Sequence, residues 1–136
     1  MGRLLEENAK NTLWITDPVS NARIGLHYRI PTSHERVLYW RAVWDPKKKA
    51  PVDDTSGVRV FWGEKILEGF TDGSFEKVID NERRAISCNP TSNDFFPDWR
   101  AWILKCSPDL LEALGFEVFE LFQSEAKQGE DPPEKK

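Results

Sequence analysis

The side chains best suited to chemistry are few, and His27, His34, Cys88 and Cys106 head them. As a set they have the softness that zinc prefers. Structural zinc sites, however, draw on tight pairs such as Cys-x2-Cys, and these two cysteines lie far apart in the chain. A strand-face histidine, a helix-start histidine and two buried thiols are the expected arrangement, with no metal site. A nucleophilic hydrolase would need an activated serine or cysteine. Nothing here resembles Gly-x-Ser-x-Gly, and neither histidine stands in a glycine-rich or turn context. Gly57 and Gly63, followed by Glu64-Lys65, miss the spacing and the hydroxyl of a phosphate loop. The carboxylate pairs Glu6-Glu7 and Asp53-Asp54 are adjacent, which points them in different directions. The expectation is a non-enzymatic protein with no catalytic residue, no cofactor and no metal.

Binding chemistry is better represented. Arg23 and Arg29 flank His27 on one strand face, where they suit phosphate or a partner's carboxylates, or simply a solvated sheet face. Lys47-Lys48-Lys49 forms a basic loop near Arg41 and Trp44. A formal net charge of -4 opposes nonspecific nucleic-acid binding, which needs a strong positive field. The aromatic content is 12%, from six Trp, eight Phe and two Tyr, so either the core is very aromatic or a binding face is too. Trp40 with Trp44, and Trp99 with Trp102, stand at helical spacing. Tryptophan is enriched at interface hot spots. Trp40, Trp44, Phe61 and Trp62, with Arg23 and Arg29, are the candidate partner-binding residues, and Trp99 with Trp102 the expected core pair.

These side chains need elements to hold them. A chain of 136 residues offers one domain's worth of core. The expected class is α+β: an N-terminal β-hairpin packed with about four helices, a second small hairpin, and a disordered C-terminal tail. Thr12–Thr16 and Arg23–Ile30 read as the hairpin, since Ile24, Leu26, Tyr28 and Ile30 alternate with polar residues and glycine. Thr32 and Glu35 have capping-box spacing for a helix from Ser33 to Trp44, apolar enough round its surface to predict cover on more than one face. Ser56 caps a second helix running to Gly69, with Arg59, Glu64 and Glu68 outward. Phe75–Ile79 and Arg84–Cys88 give the second hairpin. Asp98 and Ser107-Pro108 start two more helices, the last reaching Phe122. Residues 1–11 read as a flexible arm, 12–123 as one compact domain and 124–136 as a charged tail. No apolar run approaches the roughly 18 residues of a membrane span, and the sparse cysteines suit a reducing compartment such as the cytoplasm.

One order of segments is familiar. Tyr28-Arg29-Ile30-Pro31-Thr32 with Glu35-Arg36 is followed by Arg59-Val60-Phe61-Trp62-Gly63, Ile66-Leu67-Glu68-Gly69-Phe70 and Asp72-Gly73-Ser74-Phe75. Ile86-Ser87, Asn89-Pro90, Asp98-Trp99, Trp102, Pro108-Asp109-Leu110-Leu111 and Val118-Phe119-Glu120 complete the series. The succession resembles small prophage-encoded proteins of tailed-phage tail modules, of the kind read as tail assembly chaperones. The resemblance implies a non-enzymatic protein in the cytoplasm of a bacterial host. It also implies binding of tail proteins, the tape measure protein or tail tube subunits, with a frameshifted longer product in many members. The alternative is a phage structural or connector component.

Overall fold

Alternation between Arg23 and Tyr28 has its counterpart in a three-stranded antiparallel sheet. The structure, a computed structural model, describes residues 11–121. The expected arm and tail lie outside the described residues, save Asn11, which already belongs to the first strand. The sequence reading draws one domain over 12–123. The described residues group into two compact units, residues 11–29 with Ile66–Cys106, and Ile30–Lys65 with 107–121. The mixed α+β class is as expected.

In the first unit, β1 (Asn11–Thr16), β2 (Arg23–Tyr28) and β5 (Leu67–Phe70) run in the order β1-β2-β5. The β1–β2 turn is held by Asp17, whose carboxylate accepts from the Val19 and Ser20 amides, with Asn21 in the left-handed region at φ 59°. Ile24 and Leu26 are buried, and Leu26 pairs with Phe70. Phe70 meets the edges of Phe75 and of Trp99 on α3 (Trp99–Cys106). Residues Leu67–Gly69 were expected to continue a helix; they form a strand instead. Their amides and carbonyls complete the free edge of β2, and that ladder outweighs local helical spacing.

The opposite face of β2 is partly covered: Arg23 stays exposed, as on a solvated face, while His27 and Arg29 are half-buried. Gly25 is buried under Trp14 and Thr71, and a Cβ at Gly69 would stand 2.8 Å from the Cys88 sulfur. Strands β6 (Glu76–Ile79) and β7 (Glu82–Ala85) make the expected second hairpin, with its second strand starting two residues before the expected Arg84 and ending at Ala85, short of Cys88. Asp80 and Asn81 have φ of 53° and 65°, the two left-handed residues of a type I′ turn.

The second unit holds α1 (Ser33–Val43), the short pair β3 (Trp44–Asp45) and β4 (Ala50–Pro51), α2 (Thr55–Ile66) and α4 (Pro108–Gly115). A π-helical turn, Phe116–Leu121, continues α4. The Thr32–Glu35 capping box forms in full. At α2 the cap is Asp54, which accepts from the Gly57 amide at 3.0 Å, while the expected cap, Ser56, donates to Glu112. Ser107 starts α4 without a side-chain cap bond.

Helices α2 and α4 cross through two glycines. A Cβ on Gly63 would run into the Leu111 carbonyl, and one on Gly115 into the Arg59 carbonyl. The close approach is reciprocal and backbone to backbone, so neither neighbour can swing aside. Alanine in place of a mid-helix glycine ordinarily stabilises by about 1 kcal/mol. Here the sign reverses: Gly63→Ala is expected to lower the unfolding free energy by about 1–3 kcal/mol, the cost of overpacking. Urea denaturation checks this, and a stabilised Gly63→Ala chain contradicts the crossing.

Candidate partner-binding face

Within the second unit, the face of α1 is set from below by a polar clamp. Glu120, on the π-helical turn, accepts hydrogen bonds from Arg59 Nε at 2.7 Å and Arg59 Nη2 at 3.1 Å. The Tyr39 hydroxyl donates to the same carboxylate. Arg59 therefore faces inward, contrary to the outward place expected from the helical wheel, with Glu112 as a further ion partner at 3.8 Å. The Tyr39 ring is fully buried and stacks on Phe119, with centroids 4.4 Å apart and planes 10° apart. Trp62 meets Phe119 edge-on at 5.7 Å. Arg36 ties α1 to the same turn by donating to the Val118 carbonyl at 3.3 Å.

The clamp shifts its members' protonation in consistent directions. Burial pushes Glu120 up, but hydrogen bonds from Arg59 and Tyr39 and the guanidinium charge outweigh it, leaving the carboxyl below its usual range. Burial, with the carboxylate beside it, raises Tyr39, so the phenol stays protonated and donates.

Above this platform α1 presents an open face. Val37, Trp40 and Trp44 are 47%, 41% and 44% exposed, whereas Tyr39 and Val43 carry the burial. Cover on more than one side of α1 was expected; the helix is covered on one. Trp40 rests with its ring edge-on to Tyr39 at 5.6 Å, so a buried ring braces an exposed one. Trp44 leaves the helix in extended conformation, and the Asp45 carboxylate holds the next turn by accepting from the Lys47 amide. Arg36, Val37, Trp40, Arg41, Trp44 and Pro46 together line an open groove of about 830 Å³. Its lining is mostly apolar, with the half-buried Arg36 and the exposed Arg41 as its charged members.

The other expected residues fall elsewhere. Phe61 is 57% exposed, but Trp62 is 7% exposed and packs into the core, so it is no surface anchor. Its place on the inward stripe of α2, with Gly63 and Ile66, explains the difference. Arg23 lies over the Trp14 ring at 4.8 Å, and the Arg29 amide donates to the Ile66 carbonyl; both belong to the first unit. The expected core pair also divides. Trp99 packs on Phe70, while Trp102 is exposed under Lys77 Nζ, 3.9 Å from its centroid. Neither thiol is fully buried, Cys106 being exposed and Cys88 half-buried. His34 is exposed at the start of α1, and no group of three metal-type side chains occurs among the described residues. Tyr39 was not singled out by sequence, and Glu120 stood there only within the familiar order of segments, not as a site residue.

Lowered in the folded state, Glu120 contributes stability that is full above its unfolded pKa, about 4.3, and is lost as pH falls through the folded value. The stability gap between the native chain and Glu120→Gln is therefore expected to be wide at pH 7 and to narrow on acidification below about pH 4. Thermal melts of both chains across that range check this. A gap independent of pH contradicts the charged clamp.

No helix among the described residues is long and apolar enough to cross a membrane. No protein-family model, curated protein or solved structure matches the chain.

Proposed function

We propose that the protein acts by binding another protein through the face built from Val37, Trp40 and Trp44. The observation that supports this is the exposure of three large apolar side chains, Val37 and Trp40 on α1 and Trp44 just past its end, where the buried side of the helix is locked by the clamp. Trp40, braced by the Tyr39 ring, loses little side-chain freedom on docking, which favours a hot spot. The exposed Arg41 adds charge that steers an acidic partner.

Within that reading, the partner is a phage tail protein and the chain a tail assembly chaperone of prophage type, working in the cytoplasm of its bacterial host. The order of segments from Tyr28 through Glu120 supports this narrower form. An aromatic face that covers apolar stretches of a long tape measure protein, then releases them during tube assembly, is the corresponding mechanism. It needs no catalytic group.

Co-expression with the tape measure protein of the same tail module is the test. The chaperone is expected to raise that protein's solubility and to co-purify with it. Trp40→Ala/Trp44→Ala is expected to weaken association by about thirtyfold or more, the equivalent of a hot spot of about 2 kcal/mol, with the unfolding midpoint little changed. Trp62→Ala is expected to cost about 3–5 kcal/mol of stability instead. Association that survives loss of both exposed indoles contradicts the assignment of this face.

A further inference from the structure

Strand β1 is an edge of the three-stranded sheet, and among the described residues no strand pairs with its outer side. Antiparallel ladders alternate, which tells which backbone groups point out. The Asp17 amide donates to the Ala22 carbonyl, so Ile15, Leu13 and Asn11 turn their backbone groups toward β2. Thr12, Trp14 and Thr16 turn theirs away. Gly25, opposite Trp14, agrees: its carbonyl looks to the other side and accepts from the Thr71 amide. The far edge of the sheet is closed by side chains. There the Phe70 amide donates to Cys88 Sγ at 3.3 Å, and the Leu67 carbonyl accepts from Arg100 at 2.6 Å. β1 has no such cap among the described residues. It also lacks charge, proline and bulge, the devices that ordinarily keep sheet edges apart.

We propose that two copies of this chain pair antiparallel through β1, about a two-fold axis at Trp14, into one continuous sheet. The strand itself argues for a second copy as the occupant. Thr12-Leu13-Trp14-Ile15-Thr16 presents the same kinds of side chain in either direction. With Trp14 at the centre, Thr12 meets Thr16 of the second copy, Leu13 meets its Ile15, and the two Trp14 residues meet each other. Threonine, aliphatic and aromatic pairs of this sort are favourable across strands, and no charge is set against a like charge. The backbone matches too. The pairs that exchange hydrogen bonds in this register, Thr12 with Thr16 and Trp14 with Trp14, are those whose groups point outward.

Apolar surface is covered in the same step. Trp14 is 48% exposed, and Leu13 and Ile15 are half-buried on the face that carries Ile24 and Leu26. The contact is isologous, so it closes on itself. With the β5 edge capped by Cys88 and Arg100, this sheet has no second open edge to extend, and assembly stops at two copies. Pairing at β1 uses no residue of the α1 face, so it stands or falls apart from the proposed function.

Sedimentation of the full chain over a range of concentrations tests the pairing. A reversible monomer–dimer equilibrium is expected, with a Kd on the order of 10 μM for so narrow an interface, and no larger species. Thr16→Pro removes an amide that points away from β2, so the β1–β2 ladder keeps its bonds. The dimer Kd is expected to rise at least about tenfold in that variant. Trp14→Lys sets ammonium against ammonium and is expected to abolish self-pairing; mixing it with Trp14→Glu is expected to restore a dimer with one copy of each. The native chain reports the register without substitution. In a mixture of isotope-labelled and unlabelled chains, filtered NOEs are expected between the Leu13 methyls of one copy and the Ile15 methyls of the other. A chain that stays monomeric up to about 1 mM, a dimer indifferent to Thr16→Pro, or a dimer without the Leu13–Ile15 contact between copies would overturn the proposal.

Discussion

Much of the second unit turns on one carboxylate. Glu120 takes a guanidinium from α2 and a phenol from α1, joining three segments that are remote in sequence. A half-buried carboxylate left without these donors would cost its full desolvation, so the clamp is strong mainly against being broken. It also dictates which way α1 turns. With Tyr39 drawn down onto Phe119 and Glu120, the residues on the far side of the helix are left uncovered, and these are Val37 and Trp40. Exposure of the tryptophans is in this sense a consequence of where the tyrosine is held.

The π-helical turn and the glycine crossing serve the same geometry. Gly63 and Gly115 let α2 and α4 approach at backbone distance, which keeps Arg59 within reach of the segment after α4. The wider turn at Phe116–Leu121 then brings Val118 and Phe119 into the core, with Glu120 at its polar edge. Turns of this kind recur where a helix must re-aim a side chain. Here the re-aimed side chain is the clamp.

How much of this was legible in sequence depended on the range of the forces involved. Features fixed by neighbours in the chain could be read directly: the Arg23–Tyr28 alternation, the Thr32–Glu35 box and the Asp80-Asn81 turn. Features fixed by distant backbone could not. Leu67–Gly69 has helical spacing but becomes a strand because β2 has an edge to fill. Arg59 sits on the polar side of a helical wheel, yet points inward because a carboxylate far along the chain waits there. Trp40, Trp44 and Trp62 looked alike as candidates. What separates them is which side of each helix meets Phe119, and no local pattern encodes that. The non-enzymatic reading, the partner and its phage context remain proposals carried by the open groove and by the order of segments.

Hydroxyl-radical footprinting of the chain, alone and with the proposed tape measure partner, bears most directly on an open tryptophan face above a buried clamp. Trp40 and Trp44 are expected to oxidise quickly in the free chain and to be protected in the complex, with Tyr39, Trp62 and Phe119 slow in both. Trp40 and Trp44 reacting as slowly as Trp62, or staying equally reactive in the complex, would contradict the account.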